Sequence, residues 1–186
     1  MTMRRLAGVL AVAAVAAAVL SGCGGENWAK KCTTTGKVVE CAPDRRPQVG
    51  DVTGDLLGGG TYDVAQDRGK VVVVNFWGSW CAPCRAEADD LETTYQATKA
   101  KGVSFIGINS RDDKDAAIAF ERGRVTYPSI YDFEGKVALK FDVTQTTTPQ
   151  TLILDRQGRI AVALRAATTH TQLQPLVEKI ASEATG

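Results

Sequence analysis

Apolar positions along this chain follow two rhythms, and their order outlines a fold. Val71–Phe76 is an apolar, β-branched run, the mark of a strand buried on both faces. Cys84, Ala88, Leu91 and Tyr95 then recur at helical spacing, which predicts a helix over 82–101 that Gly102 ends. Val103–Ile108 predicts a second buried strand. Asp112–Arg122 predicts a second helix with acids in its first turn. The stretch from Tyr127 to Val143 is mixed, with a short helix expected over Glu134–Phe141. "TPQTLILD" and "RIAVALR", joined by Arg156, Gln157 and Gly158, read as a hairpin. Leu173, Leu176, Val177, Ile180 and Ala181 make a last amphipathic helix, with Thr169 and Gln172 placed for a capping box.

Ahead of Val71, turn glycines (Gly54, Gly58 to Gly60, Gly69) surround short extended pieces that read as a β-hairpin region. The order is therefore hairpin, β, α, β, α, small insert, β, β, α. A strand–helix–parallel strand unit requires a right-handed crossover, and the hairpin that follows is antiparallel. The expected architecture is α/β: a mixed central sheet with helices on both faces and a central αβ-type insert.

The chain's start follows another logic. Arg4 and Arg5 precede Leu6–Leu20, an uncharged apolar stretch of secretory-signal length. "LSGC" (Leu20–Cys23) resembles the bacterial lipobox, which implies cleavage before Cys23 and lipid attachment to its sulfur. This divides the chain into a signal peptide (1–22), a tether with a small cysteine-closed loop (23–48), and one domain (49–186). The formal charge of +1 gives no electrostatic footing for nucleic acid. Removal of 1–22 takes two arginines and no acid, leaving −1 and no polybasic patch. The acyl chains alone would hold the membrane, on the extracytoplasmic face.

Five cysteines are awkward for an exported protein until Cys23 is set aside. Four remain, in an environment where disulfides persist. They allow three pairings; proximity favours Cys32 with Cys41, as a structural staple, and Cys81 with Cys84. Zinc fits poorly: Cys81 and Cys84 supply one ligand pair, and the sole histidine, His170, begins the last helix. No metal and no cofactor are expected. A purely structural bridge across three residues would add little stability. A redox role has a physical cause. Cys81 falls where a strand ends and a helix begins, so free N–H groups and the helix dipole favour its thiolate. Cys84, one turn on, is placed to resolve a mixed disulfide, and Pro83 sits where a missing N–H costs nothing. On this reading Cys81 is exposed and Cys84 buried.

"NFWGSWCAPC" (Asn75–Cys84) resembles the active-site segment of the thioredoxin superfamily. More narrowly, "VVVVNFWGSWCAPCRAE", the insert, "TTTPQTLILD" and the lipoprotein-like start resemble the exported TlpA/ResA/DsbE-like thiol–disulfide oxidoreductases, over roughly residues 49–184. The resemblance implies a thioredoxin-like fold, Cys81 as nucleophile and Cys84 as resolving cysteine. It implies that Trp80 contacts substrate and that Thr148–Pro149 is a cis bond. Pro149 would pack against the disulfide, and the backbone before it would pair with the substrate chain. Where cytosolic thioredoxins hold a buried Asp, this chain has Asn75, which does not titrate. Glu87 matches a glutamate of the ResA-like group and would tune the thiols and take the buried proton. The family's proline two residues further on is here Asp89, so its helix kink is not expected. Trp77 reads as core support and Arg85 as a solvated cation. The implied partners are protein thiols and disulfides, and a redox partner that is a membrane electron carrier or an oxidant.

Ala82 and Pro83 between the cysteines include no histidine to stabilise a thiolate, which favours a reducing couple. Relatives act mostly as reductants, for example of apocytochrome c, though some act as oxidases; reductase is preferred. A peroxiredoxin is the rival enzyme, but "GSWCAPC" lacks the Thr/Pro loop that such a cysteine uses. The rival outside enzymology is a tethered binding module with an inert disulfide. Electron relay through Cys32 and Cys41 ranks below a staple.

Overall fold

A computed structural model describes residues 28–142 and 148–183. The signal segment and Cys23 lie outside the described residues.

Thirteen elements follow one another: β1 (Thr33–Thr35), β2 (Val38–Glu40), β3 (Thr53–Asp55), β4 (Thr61–Asp63), β5 (Val71–Trp77), α1 (Ala82–Thr98), β6 (Val103–Ser110), α2 (Lys114–Glu121), β7 (Ser129–Asp132), α3 (Lys136–Leu139), β8 (Gln150–Leu154), β9 (Ile160–Leu164) and α4 (His170–Ala181). Seven strands form one sheet in the order β1-β2-β9-β8-β5-β6-β7, and β3 with β4 forms a separate ribbon. β5, β6 and β7 run parallel, while β8 lies antiparallel to β5 on its other side. This is the mixed thioredoxin-like sheet that the element order predicts.

The pleat of β5 decides what each face holds. Val72, Val74 and Phe76 point into one core with Ile106, Ile108, Leu152, Val137 and Phe141. Val71 and Val73 point into the other, with Leu91 of α1 and Leu173, Val177 and Ile180 of α4. Asn75 and Trp77 share this second face by register, so the strand's only polar side chain is turned toward α1. Gly102 ends the α1 segment in the left-handed region, at φ 77°, where a side chain would be strained.

Three differences from the sequence reading have identifiable causes. The mixed stretch contains β7, an edge strand that pairs with β6 from Gly107–Ser129 to Ser110–Asp132. Its run is too short for an alternation to be read. The cysteine-closed loop forms a hairpin whose β2 pairs with β9, so residues ahead of Val49 extend the main sheet. Thr169 makes no side-chain cap on α4. Instead Asp90 of α1 accepts the His170 N–H at 2.8 Å, and Glu87 accepts the Thr168 N–H at 2.8 Å. Carboxylates from a neighbouring helix satisfy two backbone donors at and just before this helix start.

Candidate active site

β5 ends at Trp77, and four residues later Cys81 occupies the N-cap of α1, with Pro83 in the first turn. The Cys81 N–H donates to Gly78 O at 3.0 Å, closing a tight turn. Cys81 Sγ accepts the Cys84 N–H at 3.2 Å. The sulfur therefore sits where side-chain oxygens usually cap helices, at the positive end of a 17-residue helix. The two sulfurs are joined, with Cα atoms 5.3 Å apart. A second disulfide joins Cys32 to Cys41.

The expected contrast in exposure is absent. Cys81 is 4% exposed and Cys84 3%, because the oxidised pair packs into a small apolar cluster with Leu57, Trp77 and Ala117. What reaches solvent is Trp80, 56% exposed, with its indole N–H on Ser110 O at 3.3 Å. Gly78 makes room for that ring: a Cβ there would lie 2.4 Å from Trp80 Nε1. Trp77 is internal; its N–H reaches Ser129 Oγ at 3.1 Å and its ring lies against Phe120. Arg85 lies over the Phe120 ring, 6.0 Å from its centroid.

Behind the cysteines lies Glu87, one helical turn past Cys84 and 2% exposed. It accepts from Asn75 Nδ2 at 2.9 Å and from the Thr168 N–H at 2.8 Å. Burial pushes its pKa up to about 7; the two hydrogen bonds hold it back, and the charge of Asp90 adds to the rise. Asn75 also donates to Thr151 Oγ1 at 3.1 Å. The position lacking an Asp is thus not idle: it orients a carboxyl that titrates near neutrality from the adjacent helix. A cavity of about 10 Å³, lined by Cys84, Asn75, Leu91, Glu121 and Tyr127, lies alongside. That is room for about one water molecule.

The Thr148–Pro149 bond is cis. Phe76 pairs with Gln150, which puts Pro149 at the end of β5 that leads to Cys81. Thr148 is half-buried there. Sequence reasoning missed Thr168, which contributes through its backbone, and Thr151, a polar position inside an apolar strand. Neither leaves a readable signal. Among the described residues no cluster of three or more His, Cys, Asp or Glu side chains converges as metal ligands would. His170 begins α4 with its ring on Thr94 Oγ1 at 3.1 Å.

A family described as AhpC/TSA matches residues 42–163. The chain belongs to the AhpC/TSA family. It is similar to the thiol-disulfide oxidoreductase ResA of Geobacillus kaustophilus, 29% identical over 125 residues, or 67% of this chain and 71% of the relative. Among solved structures it is similar to a DsbF homologue from Corynebacterium diphtheriae, with 32% identity and a TM-score of 0.74 over 79% of this chain and 96% of the other. A secreted thiol-disulfide isomerase from Corynebacterium glutamicum shows 33% identity and a TM-score of 0.72, over 78% and 95%. With its Cys-X-X-Cys pair at a helix start, this member is a protein thiol–disulfide oxidoreductase of the ResA/DsbE type. Its substrates carry protein thiols or the disulfides that they form.

Proposed function

We propose that the protein is an extracytoplasmic, membrane-tethered reductase of protein disulfides, with Cys81 as nucleophile, Cys84 as resolving thiol and Glu87 as proton acceptor. The observation that carries the reading is the Cys81 sulfur at the N-cap of α1, with a buried carboxyl one turn behind Cys84.

In the reduced protein the Cys81 thiolate attacks one sulfur of a substrate disulfide and the other leaves as a thiolate. Cys84 loses its proton to the Glu87 carboxylate and attacks Cys81 Sγ, so the second substrate sulfur also leaves as a thiolate; both substrate thiolates take protons from solvent, and Glu87 returns its proton to solvent. Two electrons pass to the substrate, and the Cys81–Cys84 disulfide remains to be reduced by a partner. Trp80 and the Thr148–Pro149 segment bound the approach to Cys81 and serve as the substrate contact. Cys32–Cys41 serves as a staple, closing the β1–β2 hairpin at the edge of the sheet away from β5.

Direction rests on what surrounds Cys81: helix N–H groups, but no cationic side chain in the two residues between the sulfurs. A couple stabilised this modestly lies nearer the ~−270 mV of thioredoxin than the ~−120 mV of strong oxidants. Lipid attachment at Cys23 supplies the tether and exported proteins the substrates; apocytochrome c is one candidate. The experiment is trapping with a Cys84→Ser variant, which should accumulate mixed disulfides through Cys81, alongside equilibration of the parent with glutathione. A potential near −120 mV would reverse the direction to that of an oxidase, and the absence of any mixed disulfide would remove the catalytic assignment.

A further inference from the structure

Beyond the pair and Glu87, one more carboxylate is committed to the active-site turn. Asp112, 3% exposed, lies just past the end of β6. Its Oδ1 accepts the Ser79 hydroxyl at 2.7 Å. Its Oδ2 accepts the Ser79 backbone N–H, and the Asn109 amide at 2.8 Å. No ion pair to Asp112 occurs among the described residues, so three hydrogen bonds hold this buried side chain. The surrounding backbone is also tied in place. Arg111 adopts a left-handed φ of 52°, Ser110 O receives the Trp80 indole, and Asp112 O receives the Tyr131 hydroxyl at 3.0 Å.

Ser79 lies two residues before Cys81, and its neighbour Trp80 is the exposed ring beside the cysteines. Every side-chain bond that Asp112 makes to this turn therefore bears on where that ring and the Cys81 sulfur sit. α1 anchors the turn on one side and β5 on the other, and the residues at and after the β6 end take the hydrogen bonds of Ser79 and Trp80 in its middle. We propose that Asp112 is a positioning residue for disulfide exchange: its carboxylate clasps the Ser79 turn from the end of the neighbouring strand and fixes where Cys81 and Trp80 meet a protein substrate. A misplacement of about 1 Å at a reacting group can cost up to about a hundredfold in rate, so a clasp of this kind has leverage without touching substrate.

The inference rests on the reductase reading and is tested with the reduced full chain acting on insulin. Asp112→Ala should lower kcat/KM by about tenfold through misplacement of the turn. Asp112→Asn keeps an oxygen for Ser79 and should recover to within about threefold of the parent. Melting temperatures of the oxidised forms are measured alongside. A merely structural residue would move the melting temperature of both variants and leave the rate per folded molecule unchanged, which would overturn the inference. So would an Asn variant as slow as the Ala variant. Should Asp112→Ala fail to fold, Ser79→Ala removes one donor and leaves the carboxylate; about a threefold loss is expected, and a parental rate overturns the clasp. An inactive parent would instead sink the reductase reading itself.

Discussion

Replacing Glu87 by Gln removes a buried charge while keeping the side chain's size, and the structure sets the size of the result. In the native state this carboxyl has a pKa of about 7, against an ordinary value of 4.5. The native protein thus binds the proton more tightly than the unfolded chain. The associated stability is fully present below pH 4.5, drains away as pH rises, and is gone above about 7. At about 1.4 kcal/mol for each tenfold in proton affinity, the parent should lose about 3 kcal/mol across that interval from Glu87 alone. Gln meets two donors, Asn75 Nδ2 and the Thr168 N–H, with one oxygen. The unmet donor costs about 1–3 kcal/mol at every pH. The variant should therefore be the weaker protein at pH 5, and match or exceed the parent at pH 8. Urea unfolding of both oxidised proteins from pH 4 to 8 checks this. Glu121 is also pushed up by burial, so the difference between the two curves, rather than either curve, isolates Glu87. Parallel curves across the window would refute the assignment of the neutral-pH titration to this carboxyl.

Asn75→Ala deletes a donor that favours the Glu87 carboxylate, so the carboxyl should titrate higher than in the parent; carbon-13 NMR of the side chain reads this directly. Leu91→Ala opens a void against β5 at a fully buried position and should cost about 2–5 kcal/mol in urea unfolding, with exchange activity retained below the transition. Gly78→Ala drives a Cβ into the Trp80 ring, so, with that ring proposed as the contact for protein substrates, insulin reduction should fall more than reduction of a small aromatic disulfide; equal losses would contradict that role.

What the sequence disclosed and what it withheld divide along physical lines. The Val71–Trp77 strand, the 82–98 helix and the closing hairpin and helix were legible because a buried strand and an amphipathic helix each impose a period. β7 was not, because its four residues hold too few positions for an alternation, and its pairing is decided by β6. The N-cap location of Cys81 followed from a strand signal running into Pro83. The burial of Cys81 did not, since Leu57 and Ala117, far apart in the chain, supply its cover. Glu87 could be singled out by resemblance, yet its perturbation depends on burial between α1 and the Thr168 backbone, which composition does not encode. Asp112 gave no signal at all: in the sequence it is one acid among several at a helix start, and only the return of β6 beside the active-site turn gives it Ser79.

The central claim is that Cys81 is ionised near neutral pH because it caps a helix, and its thiol titration is the direct measurement. The reduced protein is alkylated with iodoacetamide across pH 5 to 10, with Cys84→Ser used to assign the faster sulfur. Cys81 should show an inflection well below the ~8.5 of an unperturbed cysteine, in the range of about 7 or lower. An inflection at or above ~8.5 would contradict it.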